Sequence, residues 1–291
     1  MKHWLSLVGI SKVEDYIELA QFAEKIGFYG VAVADHLLIP SHSVSVHSNS
    51  KDSTWRPREA QWPDPWIILT AIGLATSSLR LTTNIYLAAL RDPFSTAKAI
   101  STASRLTNNR VSCGLAAGWQ KEEFEFSGVD FQSRGRRLDE TIMVMKKLWS
   151  GTEVSHEGEF FQFNGALQQP TPTQPIKIRI GGSSAPALRR AARHDGWMGE
   201  PMSKDKLIET VKILENLRAE QKKSEPMDLF FTLMEMPTRE IYNELDSMGL
   251  SNRVAITPWK RERWLRQGEN PEQIEVKKLA LIRFAQDVID I

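Results

Sequence analysis

The sequence predicts an α/β chain closed into a (β/α)8 barrel, and three observations predict it. Short apolar runs alternate with longer amphipathic runs along 291 residues, which is the pattern of parallel strands joined by helices. Eight strand-then-helix units can be traced, and eight units in roughly 250 residues or more is the arithmetic of a TIM barrel. The first strand is followed by Ile10-Ser11-Lys12, not by the glycine fingerprint of an open doubly wound sheet. No low-complexity run or composition break divides the chain, so residues 1–291 read as one domain.

The first strand is expected over Trp4–Gly9. Ser11-Lys12-Val13-Glu14 has the spacing of a capping box, in which Ser and Glu satisfy each other's free N–H groups. Val13, Tyr16, Ile17, Ala20 and Ala23 follow at helical spacing, and Gly27 stands where a left-handed cap would end that helix. The second strand, Tyr29–Ala34, ends in Asp35-His36. The polar stretch Ser41–Gln61 is too long for an ordinary connection and reads as a lid inserted after strand two. Asp64-Pro65 and Asp92-Pro93 each supply an N-cap and a first-turn proline for the next two helices. Between them lies the third strand, Leu79–Leu87. Asn108-Asn109 suits the turn into the fourth strand, Val111–Ala117.

A second insertion follows strand four. It holds a polar helical stretch, a helix over about Arg137–Trp149 and a hairpin over Val154–Phe163. The fifth strand, Ile176–Ile180, carries Lys177 and Arg179 and runs into Gly181-Gly182-Ser183-Ser184, with a helix from Ala187. A weak sixth strand, Trp197–Gly199, precedes a helix from about Ser203. The seventh, Leu229–Met234, precedes a short helix after Pro237. The eighth is Arg253–Thr257, and Asn270-Pro271-Glu272-Gln273 caps the last helix.

Lys and Arg total 37 against 36 Asp and Glu, a net charge of +1. That balance gives no global electrostatic reason to bind nucleic acid or an anionic membrane. No run approaches the roughly 18 apolar residues that cross a bilayer, and Trp4–Ile10 is too short for a signal peptide. Cys113 is the sole cysteine, so no intrachain disulfide forms and a reducing cytoplasm is expected. No metal is expected either. The first strand lacks a His-x-His pair, no zinc signature occurs, and Lys177 lies at the wrong end of its strand for a Schiff base.

In such a barrel the chemistry gathers at the C-terminal ends of the strands. His36 there can give or take a proton near neutral pH, or can merely hydrogen-bond at the rim. Asp35 can orient His36 or cap the following turn. Gly181-Gly182-Ser183-Ser184 lies between a strand and a helix start; in isolation it is a turn with a serine cap, but in a barrel it suits a phosphate. Trp119, after Gly118, can wall a planar ligand or pack the core. Trp55, Trp62 and Trp66 lie in or beside the lid, where they favour an apolar substrate or pack the lid down. Arg134–Arg137 can meet an anion, but reads first as a solvated face paired with Asp139 and Glu140.

Taken in order, several stretches resemble the luciferase-like monooxygenase superfamily, in particular its branch dependent on the deazaflavin coenzyme F420. They are GFYGVAVADHLLIP, WPDPW, LRLTTNIYLAALRDP, NNRVSCGLAAGWQKEEFEFSGVDFQSRGRRLDE, HEGEFFQFN and IKIRIGGSSAPALRRAARHDGW. The resemblance implies a barrel that binds reduced or oxidised F420, or FMN. It implies that His36 is the proton-transfer group and that Asn84-Ile85 sits at a bend that is commonly a non-prolyl cis peptide. It places Gly118 and Trp119 beside the ring and Gly181, Gly182, Ser183 and Ser184 at the phosphate, with Asp35 also among the cofactor-binding residues. Strand three reads Leu81-Thr82-Thr83 where the family commonly has Leu-Gly-Thr. The implied activity is hydride transfer between F420 and a small organic substrate. The alternatives are a two-component monooxygenase fed with reduced FMN by a separate flavin reductase, and a barrel that only binds a ligand. Relatives of this kind often pair through barrel helices, so a homodimer is expected.

Overall fold

The structure, a computed structural model, describes residues 1–46, 60–250 and 253–289. The strands among them are β1 (Lys2–Leu7), β2 (Gly30–Val33), β3 (Arg80–Thr83), β4 (Val111–Leu115), β5 (Val154–Glu157), β6 (Gln162–Ala166), β7 (Ile178–Gly181), β8 (Gly196–Met198), β9 (Asp228–Phe231) and β10 (Arg253–Ile256). Eight of them close a parallel barrel in the order β1-β2-β3-β4-β7-β8-β9-β10, and β10 pairs back onto β1. The predicted (β/α)8 architecture is therefore present. The helices outside it are α1 (Glu14–Lys25), α2 (Pro65–Ala75), α3 (Pro93–Leu106), α4 (Lys121–Phe126), α5 (Arg134–Leu148), α6 (Ala185–Ala192), α7 (Lys204–Glu220), α8 (Arg239–Ser247) and α9 (Ile274–Phe284). Between β4 and β7 the insertion consists of α4, α5 and the antiparallel hairpin β5–β6. No described helix is long and apolar enough to cross a membrane.

Local chemistry sets most helix starts. Asp64 accepts from the N–H groups of Trp66 and Ile67, Asp92 from Ser95, and Ser203 from Lys206. Gly27 ends α1 at φ +82°, and Phe28 N–H returns to the Ala23 carbonyl at 3.0 Å. The capping box at Ser11–Glu14 does not form. Val13 is already helical, so Ser11 lies too early to cap, and the first turn closes through Asp15 N–H to the Lys12 carbonyl at 3.2 Å. The last helix likewise lacks a side-chain cap, because Asn270 accepts from Glu272 N–H within its own turn. The third strand is shorter than expected. It stops at Thr83, the Asn84–Ile85 peptide is cis, and a single bridge then joins Tyr86 to Leu115.

Alternate residues of each strand point into the barrel. Trp4, Ala32, Met198, Phe230 and Ala255 pack there as one cluster, with Tyr29 and Ile85 against it. The other set faces the helices and joins the main core. Towards the strand N-termini the interior is charged. Arg179 is 2% exposed and pairs with Asp228, which also takes Arg253, and its guanidinium donates to Ser112 Oγ at 3.1 Å. This accounts for a polar residue between Ile178 and Ile180: it is the inward member of an alternating strand. A buried charge of this kind is tolerated only while paired and hydrogen-bonded.

The basic run on α5 is not a face paired with Asp139 and Glu140. Arg134 donates to the carbonyls of Gly118 and Phe131, Arg136 pairs with Glu159, and Arg137 donates to the Ala89 carbonyl. Asp139 instead binds Arg190 and Arg193 from α6. Glu140 takes His156 and the N–H groups of Phe160 and Phe161, fixing the hairpin to the barrel.

Candidate active site

The mouth of the barrel is built around His36, two residues beyond the Ala34 that follows β2. Its side chain is 7% exposed, and its Nδ1 lies 3.0 Å from Glu123 Oε2. Glu123 is on α4, is completely buried, and also accepts from the N–H groups of Leu37 at 2.9 Å and Leu38 at 3.4 Å. A carboxylate can only accept, so Nδ1 carries the proton and Nε2 is the basic nitrogen of the neutral ring. Trp62 lies edge-on to the imidazole at 4.9 Å between ring centres, and Trp119 does so at 6.3 Å. The structure thus places one histidine, oriented by a buried carboxylate, between two indoles.

Asp35 is held by the loop after β3. Both of its oxygens bind Arg91, and Oδ2 also accepts from Leu87 N–H at 2.9 Å. These contacts tie the end of β2 to the loop after β3. Burial raises the Asp35 carboxyl above its ordinary pKa, and Arg91 and the Leu87 amide counter that shift.

On the neighbouring strands, Asn84 and Ile85 are partly exposed among buried neighbours. The Asn84 side chain has no hydrogen-bond partner among the described residues. Ile85 reaches across to β7, where a Cβ at Gly181 would lie 1.8 Å from its Cδ1, so only glycine admits this approach. Gly182 is left-handed at φ +104°, and its carbonyl accepts from Trp197 Nε1 at 2.9 Å. Ser184 is committed to capping α6 through Ala187 N–H, while Ser183 is exposed. Gly118, at φ +93°, packs against Phe124 and gives its carbonyl to Arg134. Trp55 lies outside the described residues.

Two side chains that build this mouth were not singled out by sequence reasoning. Glu123 is one. The other is Glu122, whose Oε1 accepts from Ser43 Oγ at 3.2 Å, Val44 N–H at 2.6 Å and Ser45 N–H at 3.1 Å. Burial opposes its ionisation, but hydrogen bonds from the Ser45 side chain and from the Glu122, Val44 and Ser45 N–H groups hold it down at about 2. Adjacent carboxylates on α4 therefore hold Ser43, Val44 and Ser45 on one side and the histidine on the other. Their sequence signal is faint: two acids at the start of a short helix just after the Gly118-Trp119 strand end. Among the described residues no group of histidine, cysteine and carboxylate side chains could hold a metal.

The family model described as luciferase-like monooxygenase matches residues 2–234. An uncharacterized protein of Mycobacterium tuberculosis is 31% identical over 283 residues, covering 94% of each chain. A protein of Gordonia bronchialis named F420-dependent glucose-6-phosphate dehydrogenase is 28% identical over 209 residues, covering 68% of this chain and 57% of its own. Among solved structures, monooxygenase RslO1 from Streptomyces bottropensis superposes with a TM-score of 0.77 at 15% identity, covering 99% of each chain.

Proposed function

The chain belongs to the luciferase-like monooxygenase family, and from that premise we propose that its barrel mouth binds coenzyme F420 and moves a hydride between that deazaflavin and a small organic substrate. The observation that carries this reading is His36, held by Glu123 at Nδ1 between Trp62 and Trp119. The Gordonia relative's name supports the choice of coenzyme.

The residues present fit such a group. The Asn84 amide is free to meet the polar edge of a flat ring, and Ile85 and Trp119 offer apolar surface to its faces. Gly182, Ser183 and the first turn of α6 offer N–H and hydroxyl donors to a phosphate. When bound, the deazaflavin supplies the hydride chemistry. The chain's own residues supply the rest. His36 Nε2 takes or returns the substrate proton, and Glu123 stabilises the imidazolium that forms. Trp62 and the lid limb latched by Glu122 exclude water.

The second reading, monooxygenation with reduced FMN delivered by a separate flavin reductase, is favoured by the description of the family itself. Anaerobic fluorescence titration with F420, FMN and reduced FMN separates the two. Saturable binding of F420 alone supports the first reading, and preference for reduced FMN supports the second. Binding of none would overturn both and leave a barrel with another ligand. We place the protein as a homodimer, which light scattering at about 33 kDa would refute.

A further inference from the structure

Trp197 does more than fill the core. It lies on β8 and is fully buried, and its Nε1 donates to the Gly182 carbonyl at 2.9 Å. Its own strand boxes the ring in. A Cβ at Gly199 would lie 2.5 Å from Trp197 Cη2, so the end of β8 folds closely over the indole.

The bonded carbonyl belongs to the peptide between Gly182 and Ser183, in the turn from β7 to α6. That peptide is trans, since the cis bonds among the described residues are Asn84–Ile85 and Gln169–Pro170. In a trans peptide the C=O and N–H point in opposite directions. With the carbonyl turned to the buried indole, the Ser183 N–H points away from it, toward the exposed side of the turn. Ser183 itself is exposed, and neither its N–H nor its hydroxyl has a partner among the described residues. The Ser184 N–H has none either.

Glycine at 182 does not secure this orientation by itself. At φ +104° it occupies backbone that other residues rarely adopt, and glycine turns easily through both hands. Turned over, the same peptide would present its carbonyl oxygen where the N–H now points. An anion there would meet the negative end of a dipole in place of a donor. The indole settles that choice before any ligand arrives.

We propose that Trp197 is a positioning residue for the coenzyme's phosphate: it fixes the Gly182–Ser183 peptide so that the Ser183 N–H is preset as a donor to that group. The barrel thereby favours a phosphorylated coenzyme over the same ring system without phosphate. This role rests on the reading of the barrel mouth as a coenzyme site. A preset donor needs no ordering when the anion binds, which is where its affinity comes from.

The test is anaerobic calorimetric titration of the full chain at fixed ionic strength with two pairs of ligands, each oxidised and reduced. One pair is FMN and riboflavin, and the other is F420 and its phosphate-free deazaflavin chromophore. The wild type is expected to hold the phosphorylated member of at least one pair on the order of tenfold more tightly. Trp197→Phe keeps an aromatic ring in the core and loses the N–H. It should weaken the phosphorylated member about tenfold and leave the phosphate-free member within about twofold, so that the ratio collapses. A ring that only fills the core would lower both alike. If Trp197→Phe fails to fold, benzothienylalanine in place of Trp197 keeps the bicyclic shape with sulfur where the N–H was, and should give the same collapse. Equal loss for both members, or no loss, would overturn the proposal and leave the coenzyme reading standing. So would a wild-type affinity indifferent to the phosphate. If the wild type binds no member of either pair, the coenzyme reading falls and this role falls with it.

Discussion

Replacing Glu123 separates orientation of His36 from the stability of the fold. Glu123 accepts two short hydrogen bonds, from His36 Nδ1 at 3.0 Å and Leu37 N–H at 2.9 Å, and one longer one from Leu38. Both partners of the His36–Glu123 hydrogen bond are almost fully buried, so water competes with it little. Hydrogen bonds to a charged group contribute about 1.5–3 kcal/mol each, so Glu123→Ala should cost about 3–5 kcal/mol once the stranded donors are counted. Glu123→Gln keeps the shape and an oxygen for Leu37 N–H, and should cost only about 1 kcal/mol. Its amide, however, presents an N–H to Nδ1 and moves the imidazole proton to Nε2. The wrong tautomer then faces the substrate, and kcat should fall on the order of 100-fold or more. Urea denaturation measures the first effect, turnover with the coenzyme found by titration measures the second, and ¹⁵N shifts of the His36 ring report the tautomer. If Glu123→Gln keeps both the wild-type ring shifts and wild-type turnover, the reasoning is refuted.

Other outcomes follow from single contacts. Hydrogen bonds from Val44 and Ser45 hold the Glu122 carboxylate down at about 2. A depressed acid stabilises above its unfolded pKa and loses that contribution as pH falls through the folded one, so Val44 and Ser45 amides should lose exchange protection between about pH 4.5 and 2. Glu122→Gln should remove that pH dependence, and a wild type with no such loss would contradict it. Gly181→Ala sets a methyl 1.8 Å from Ile85 Cδ1. It should cost about 1–3 kcal/mol and weaken coenzyme binding, with Ile85→Ala restoring stability in the double variant; an additive double variant would argue against the contact. Asp228→Leu leaves Arg179 and Arg253 buried beside each other without a counter-ion. It should lose about 3–5 kcal/mol in chemical denaturation, and a loss below about 1 kcal/mol would show that the pairing is not needed.

The barrel was legible because its signals are local and repeated: apolar runs, aspartate-proline helix starts, and Gly27. Where a signal depends on backbone entry angle it misled, as at Ser11, which cannot cap a helix that already begins at Val13. The mouth was partly legible. His36, Trp119, Asn84-Ile85 and Gly181 could be singled out because each sits at a strand end. Their partners could not. Glu123 meets His36 across 87 positions, and Asp35 meets Arg91 across 56; no helical or strand period links such pairs. The charged barrel interior was invisible for the same reason, since Arg179 reaches Asp228 only after the sheet closes.

The contacts of Glu122 with Val44 and Ser45 have a consequence for how this segment can change. Two of its donors, Val44 and Ser45, act through main-chain N–H groups. Every amino acid but proline owns that group, so the contact at Val44 does not depend on that position's side chain, whereas Ser45 also accepts from Lys121 N–H through its hydroxyl. Random libraries at 44 that omit proline should keep the contact with Glu122 while changing the side chain displayed there.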